Sequence, residues 1–404
     1  MFKYLRIILL LSLFHSQVLA STDFICTVNK ADEDYNLVST WEAAMDDAGS
    51  LTAADIKVFS HSGVVGAMVD GGAVNGASSG ATATIAHATA TQILLYDISG
   101  TFESGEKIYQ TLDVNYIVAA DGGDSPNLVL HIYADQGELA ESGNYSISGN
   151  STGISNTITI TAPPGQRHDG KSYGTGARIS NSGWFQVLEQ YVNISWLSFL
   201  HTGASTSVVV RWPSVLGGGS VTHCIVTKDD NDQSVTAFYV DVSAGSIKID
   251  NNLIYNMTNY GIYQVSSTGT AEINNNTIYG STYGIYAKGA GEIRNNLCIG
   301  ATIKDYYNDK ATFTTNGSSD SSGSAGLQNL TTSEFISITP DSEDYHLSSN
   351  AYSLDKGTDL GSSYSIDIDG RDRDASEDIW DLGCDEYVAP STSIKPQVII
   401  TNIM

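Results

Sequence analysis

Residues 249–300 read IDNNLIYNMTNYGIYQVSSTGTAEINNNTIYGSTYGIYAKGAGEIRNNLCIG. One theme is stated twice and opened a third time. Ile249-Asp-Asn-Asn252-Leu-Ile254 returns as Ile273-Asn-Asn-Asn276-Thr-Ile278 and as Ile293-Arg-Asn-Asn296-Leu-Cys298, the last asparagines lying 24 and then 20 residues apart. A second register runs beside it, Tyr260-Gly-Ile-Tyr263 and Tyr283-Gly-Ile-Tyr286, 23 residues apart. Each unit carries short β-prone runs bounded by Gly, Asn, Ser and Thr, too brief and too turn-rich for helices. A unit of that size cannot bury its apolar side chains alone. Stacking puts Ile249 on Ile273 on Ile293 and creates a continuous core, so the strands must run parallel, one coil above the last.

The asparagines recur for a reason of their own. Asn tolerates the left-handed backbone of tight turns, and its amide can bond to the same amide one coil away. Asn252, Asn276 and Asn296 are therefore expected to form a structural ladder. Upstream, Val221-Thr-His-Cys224-Ile-Val fits the template with Cys224 in the ladder position, and Val192-Asn-Ile-Ser-Trp-Leu-Ser-Phe199 reads as an earlier coil. These coils, over residues 157–316, resemble the right-handed parallel β-helix of the pectate-lyase-like superfamily. That fold hosts lyases, glycosidases, epimerases, phage tailspikes and adhesins, so the resemblance implies an architecture and not an activity. The expected fold is all-β: a single right-handed parallel β-helix over residues 21–387.

Both ends of such a stack need covers. Ser39-Thr-Trp-Glu42 fits a capping box that opens a short helix with Trp41 and Met45 on one face, the expected lid on the first coil. Residues 63–112 shift toward Gly, Ala, Ser and Thr and alternate apolar with polar around Gly100 and Gly105, as a small antiparallel β insertion does. Residues 340–387 resemble the closing segment of secreted β-helix proteins of the choice-of-anchor type, which finish on a DxDGxxR and a DxGxxE stretch. Here these read Asp367-Ile-Asp369-Gly-Arg-Asp-Arg373 and Asp381-Leu-Gly-Cys-Asp-Glu386. The resemblance implies a clasp in which Arg371 and Arg373 pair with Asp381, Asp385 or Glu386 and tie the final turn over the last coil. DIDG also resembles the opening of a calcium loop, but the twelfth position from Asp367 is Asp378 and the Gly arrives early, so it is not an EF-hand. Residues 388–404 form a tail with no recognisable sorting domain.

The first 20 residues carry Lys3 and Arg6, an apolar run over 7–14, and Val18 and Ala20 before Ser21, the pattern of a secretory signal peptide. No later segment approaches the roughly 18 apolar residues of a membrane span. The protein is thus expected to be exported, either secreted or at the cell surface. Its 45 acidic and 19 basic residues give a net charge of -26, which repels nucleic acid and anionic lipid. Cys26, Cys224, Cys298 and Cys384 lie too far apart for a zinc finger and allow three disulfide pairings. Cys298, at an inward repeat position, reads as a buried free thiol.

The partner class that the resemblance implies is polysaccharide. Glycosidases need paired carboxylates across the scissile bond. The polygalacturonase signatures are absent as a set, Asp229-Asp230 alone matching one of them. Lyases need a base for the proton α to a uronate carboxylate and a cation for the developing enolate. Arg211-Trp-Pro213 resembles the start of the pectate lyase Arg-x-Pro-x-x-Arg signature, with Leu216 where the second Arg belongs. In the loop Lys228-Asp-Asp-Asn-Asp232, Asp229, Asp230 and Asp232 offer oxygen ligands to calcium, the one cofactor the sequence suggests. His223, Arg211 and Lys228 are the candidate base and cations beside it. Arg167-His168-Asp169 also gathers a cation, a base and a carboxylate in one turn. Tyr255, Tyr263, Tyr279 and Tyr286 recur every coil as candidates for stacking on sugar rings. Two readings follow: an exported protein that engages polysaccharide, by binding or by lyase chemistry on an acidic glycan, or a non-catalytic surface, adhesin or tailspike-like protein.

Overall fold

The computed structural model describes residues 21–389, apart from 32, 47–48, 204–206, 231–233, 266–267 and 374–378. The expected signal peptide at 1–20 and most of the tail lie outside the described residues. Three parallel sheets of nine, eight and seven strands are built in rotation, each complete coil giving one strand to each. In the repeat that decides the fold, Ser246–Asp250, Thr270–Asn274 and Ala290–Arg294 belong to the first sheet. Leu253–Tyr255, Thr277–Tyr279 and Leu297–Ile299 belong to the second, and Tyr260–Gln264 and Tyr283–Ala287 to the third. The topology is that of a right-handed parallel β-helix, the hand that parallel crossovers adopt almost without exception. Ile249 pairs with Ile273 and Ile273 with Ile293, and Ile254, Ile278 and Cys298 stack likewise in the second sheet.

The corner between the first and second sheets is fixed by amides. Asn252 Nδ2 donates to Asn276 Oδ1, Asn276 Nδ2 to Asn296 Oδ1, and Asn296 Nδ2 to Asn316 Oδ1, each at 2.9 Å. Each oxygen also accepts the backbone N–H of the preceding ladder residue, beginning with Cys224 N on Asn252 Oδ1 at 2.9 Å. Asn316 thus adds a rung beyond the three read from the repeat. The left-handed backbone falls on the residue before each rung: Asn251, Asn275 and Asn295 at φ 53°, 53° and 56°, with Trp196, His223 and Thr315 in the same column. Two neighbouring asparagines therefore divide the two tasks.

The covers differ from expectation in detail. The helix Val38–Asp46 does bury Trp41 and Met45, but Ser39 lies inside it. Its N-terminus is capped by Glu141, which accepts from Val38 N at 2.6 Å and Ser39 Oγ at 2.9 Å, so a carboxylate from a coil replaces the local capping box. The β-rich region is a closed antiparallel barrel of six strands from Lys57 to Ala119, wider than the 63–112 composition shift, because its outer strands are ordinary apolar runs. It lies in sequence between the first-sheet strands Thr22–Val28 and Pro126–Ile132. All four cysteines are buried and unpaired.

The ladder makes a direct prediction. Asn276→Ala removes the acceptor of two donors from Asn252 and the donor to Ile249 O, all buried. Denaturant unfolding is expected to show a loss of about 3 kcal/mol or more, since each orphaned buried group costs about 1–3 kcal/mol. A loss below about 1 kcal/mol would show that the ladder is incidental to stability.

Candidate functional site

The three sheets meet different surroundings. Residues of the closing segment, among them Tyr345, Leu347, Ile368, Leu382 and Cys384, pack with Phe335 on Ile225, Leu253, Tyr255, Leu297 and Ile299 of the second sheet. The closing segment thus lies along the side of the solenoid and not over its last coil. The left-handed corner column holds it there: His223 Nε2 donates to Ile366 O at 3.0 Å, and Asn295 Nδ2 to Thr358 O at 2.7 Å. Arg373, 1% exposed, donates through Nη2 to Asn251 Oδ1 and Gly383 O, both at 2.7 Å, and pairs with Glu386 at 3.3 Å. Arg371 takes a different partner from the expected ones, Asp369 at 2.7 Å, because its side chain stands at the surface.

Among the described residues, none of the closing segment packs on the tyrosine-bearing face of the third sheet. Arg211 pairs in register with Tyr239, Tyr239 with Tyr263, Tyr263 with Tyr286, and Tyr286 with Tyr307. All five are half-buried, their inward neighbours being Val210, Phe238, Ile262, Ile285 and Tyr306. Tyr260 and Tyr283 form a second column, stacked at 5.4 Å. Tyr286 and Tyr307 stack at 4.2 Å, while Tyr263 meets Tyr286 edge-on at 5.4 Å. Cations lie among the rings: Arg211 over Trp184 at 4.7 Å and Tyr239 at 5.3 Å, Lys288 over Tyr286 at 5.4 Å, Lys304 over Tyr307 at 5.9 Å. Five steps from Trp184 on its coil to Tyr307, at about 4.8 Å each, make a strip about 24 Å long.

The residues singled out from sequence separate. Tyr263 and Tyr286 stand on this strip. Tyr255 and Tyr279 are on the second sheet beneath the closing segment, against Tyr345 at 4.8 and 5.4 Å, so they cannot offer open faces to a sugar there. The proposed base, cations and calcium loop are not brought together. His223 stacks on Trp196 at 4.2 Å in the corner column, and burial pushes its pKa down to about 3. Lys228 is at the far end of the following strand, Ile225–Lys228, where Nζ donates to Asp229 O at 2.8 Å. Arg211 is on the third sheet. Asp230 is exposed, and Asp232 lies outside the described residues. Arg167, His168 and Asp169 also diverge, to Trp196, to His223 O and to Thr175.

A second cluster lines a cleft of about 550 Å³ between the closing segment and the His168–Lys171 turn. His346 Nδ1 donates to Asp344 Oδ1 at 2.7 Å and Nε2 to Asp369 Oδ1 at 3.0 Å, so both ring nitrogens bear protons. Burial opposes that charge, but Asp369, Asp385 and Asp344 outweigh it and push the His346 pKa up to about 9. Burial in turn drives Asp385 up to about 6 and Glu386 up to about 7. Gly170, at φ 77°, is required by this packing, since a Cβ there would lie 2.3 Å from Asp369 Oδ1. The DxDGxxR and DxGxxE stretches and the Arg167-His168-Asp169 turn each signalled part of this lining, but Asp344 and His346 had no motif of their own.

No family model matches the chain, and no curated protein matches it in sequence. Among solved structures, the crystal structure of pectate lyase Pel9A is similar at 15% identity, covering 65% of this chain and 88% of that one with a TM-score of 0.31. At that score the likeness adds nothing to what the strand pairing already shows. No helix among the described residues is long and apolar enough to cross a membrane.

The His346 cluster sets a pH dependence. A folded-state pKa of about 9 against about 6.5 in the unfolded chain means that the folded protein holds more protons between those values. Stability from this group is complete below pH 6.5 or so and is lost as pH rises through about 9. Glu42, which burial raises to about 9, acts in the same direction. The melting temperature is therefore expected to fall from pH 7 to pH 9, and His346→Gln to flatten that fall. A melting temperature that rises over this range contradicts the assignment.

Proposed function

We propose that this is an exported β-helix protein that binds acidic polysaccharide along the third-sheet strip. The observation that carries the reading is the unbroken register Arg211, Tyr239, Tyr263, Tyr286, Tyr307, on a face that the closing segment leaves free among the described residues. Ring faces at successive coils suit successive pyranose rings, since aromatic planes present apolar area at little entropic cost. Charge supports an anionic glycan. The strip holds Arg211, Lys288 and Lys304 with Asp241 and Asp309 beside Tyr239 and Tyr307. These cations stand among the rings in a chain that carries 45 acidic and 19 basic residues. Export is supported by the leader-like first 20 residues. Binding is favoured over cleavage because His223, Arg211 and Lys228 stand in three different places, so the base and cation of a lyase are not assembled from them.

The test is binding of the protein to uronate polymers and to a neutral glucan, with absorbance of newly formed unsaturated ends followed in parallel, with and without calcium. Binding selective for the uronates and weakened by salt is expected. Tyr263→Ala and Tyr286→Ala should each reduce affinity about 10-fold, a loss of about 1.4 kcal/mol, and Lys288→Ala should lessen the salt dependence. Equal binding of the neutral polymer, or affinity unchanged by both tyrosine substitutions, overturns the reading. Unsaturated product would replace binding by lyase chemistry.

A further inference from the structure

The barrel meets the first coil through a cluster that none of the preceding chemistry uses. Cys26 lies on the strand Thr22–Val28 of the first coil, fully buried, with Asp34 shortly after it. His87 comes from the barrel strand Thr82–Ala88. One ligand-capable atom from each of the three falls within 4.8 Å of the others.

The contacts around them sort into two shells. Asp34 Oδ2 accepts from Thr27 N at 2.8 Å and Thr27 Oγ1 at 2.9 Å, which orients the carboxylate and leaves Oδ1 facing His87. His87 Nδ1 is 2.8 Å from Asp70 Oδ2, while its Nε2, buried and without a hydrogen-bond partner, stands 3.7 Å from Asp34 Oδ1. That gap is too long for a hydrogen bond, whose usual limit is about 3.2 Å. It suits two ligands of one ion, because a tetrahedral metal with bonds of about 2.0–2.3 Å holds its ligand atoms roughly 3.3–3.7 Å apart. A carboxylate on the far nitrogen of a ligating imidazole is the arrangement by which metal-binding histidines are oriented. Tyr35 at 4.8 Å and Phe24 at 6.3 Å wall the imidazole from solvent.

We propose that Cys26, Asp34 and His87 bind one divalent transition-metal ion of the zinc type, with Asp70 orienting His87 and water in the fourth position. Sulfur and imidazole donors select such an ion over calcium or magnesium. The ligands come from the first coil, the loop before the capping helix, and the barrel, so the ion pins the barrel to the end of the solenoid. Binding requires the thiolate and the neutral imidazole. Binding is therefore accompanied by proton release and weakens as pH falls.

Cobalt(II) is the probe, added to the metal-stripped protein. The expected result is one ion per chain, a thiolate-to-cobalt charge-transfer absorption in the near ultraviolet, and displacement by zinc with loss of colour. Cys26→Ser should abolish the charge-transfer band, and Cys224→Ser, at a thiol far along the core, should leave it. Should Cys26→Ser fail to fold, Asp70→Asn keeps the test open, with an expected loss of about 10- to 100-fold in affinity. Cobalt binding without the thiolate band would place the ion elsewhere, at His346, Asp369 and Asp385 for example, and overturn the proposal. So would a band that survives Cys26→Ser, an affinity untouched by Asp70→Asn, or no binding.

Discussion

A column of buried amides sets the register of this solenoid. Each of Asn252, Asn276, Asn296 and Asn316 accepts from the coil before it, and the donors and acceptors come out satisfied only when successive coils stand directly above one another. A slip by one residue would turn every inward isoleucine outward and break the column at the same time. The residue before each rung takes the left-handed turn, so its side chain projects from the corner and is free to serve another purpose. At His223, Asn251 and Asn295 that purpose is to hold the closing segment. One corner thus orders the coils and commits the second sheet to burial, and among the described residues the closing segment leaves the tyrosine face of the third sheet free.

The closing segment shows how an acidic chain can bury carboxylates. Asp367 Oδ1 accepts from Asp369 N at 3.0 Å and Arg371 N at 2.7 Å, and Asp381 from Asp355 N at 2.7 Å and Tyr387 N at 2.8 Å. Asp385 accepts from Leu347 N at 2.7 Å. These acids act as caps for loops, accepting from backbone N–H groups. Arg373 supplies the buried positive charge among them, and the carboxylates with raised pKa are those for which burial exceeds this compensation.

The solenoid was legible because its period is physical: Ile249, Ile273 and Ile293 can be buried only by stacking, and the asparagines announce the corner. The helix was visible through Trp41 and Met45, but its cap was not, since Glu141 arrives from about 100 residues away in sequence. The strip was half legible. Tyr263 and Tyr286 were found by repetition, but repetition could not show that Tyr255 and Tyr279 turn toward a different neighbour. Arg211 was noticed for a motif it does not complete, and its place is decided by strand pairing with Tyr239. The His346 and Cys26 clusters join residues from separate turns, and no local pattern in a single sequence reports such meetings.

The central claim is that one corner of the solenoid is committed to the closing segment while the tyrosine face of the third sheet is left for a glycan. Hydroxyl-radical footprinting with and without an acidic oligosaccharide tests it most directly. The account predicts protection of Tyr239, Tyr263, Tyr286 and Tyr307, with Tyr279 and Tyr345 unchanged. Protection confined to the His346 cleft, with the third-sheet tyrosines as reactive as before, would contradict it.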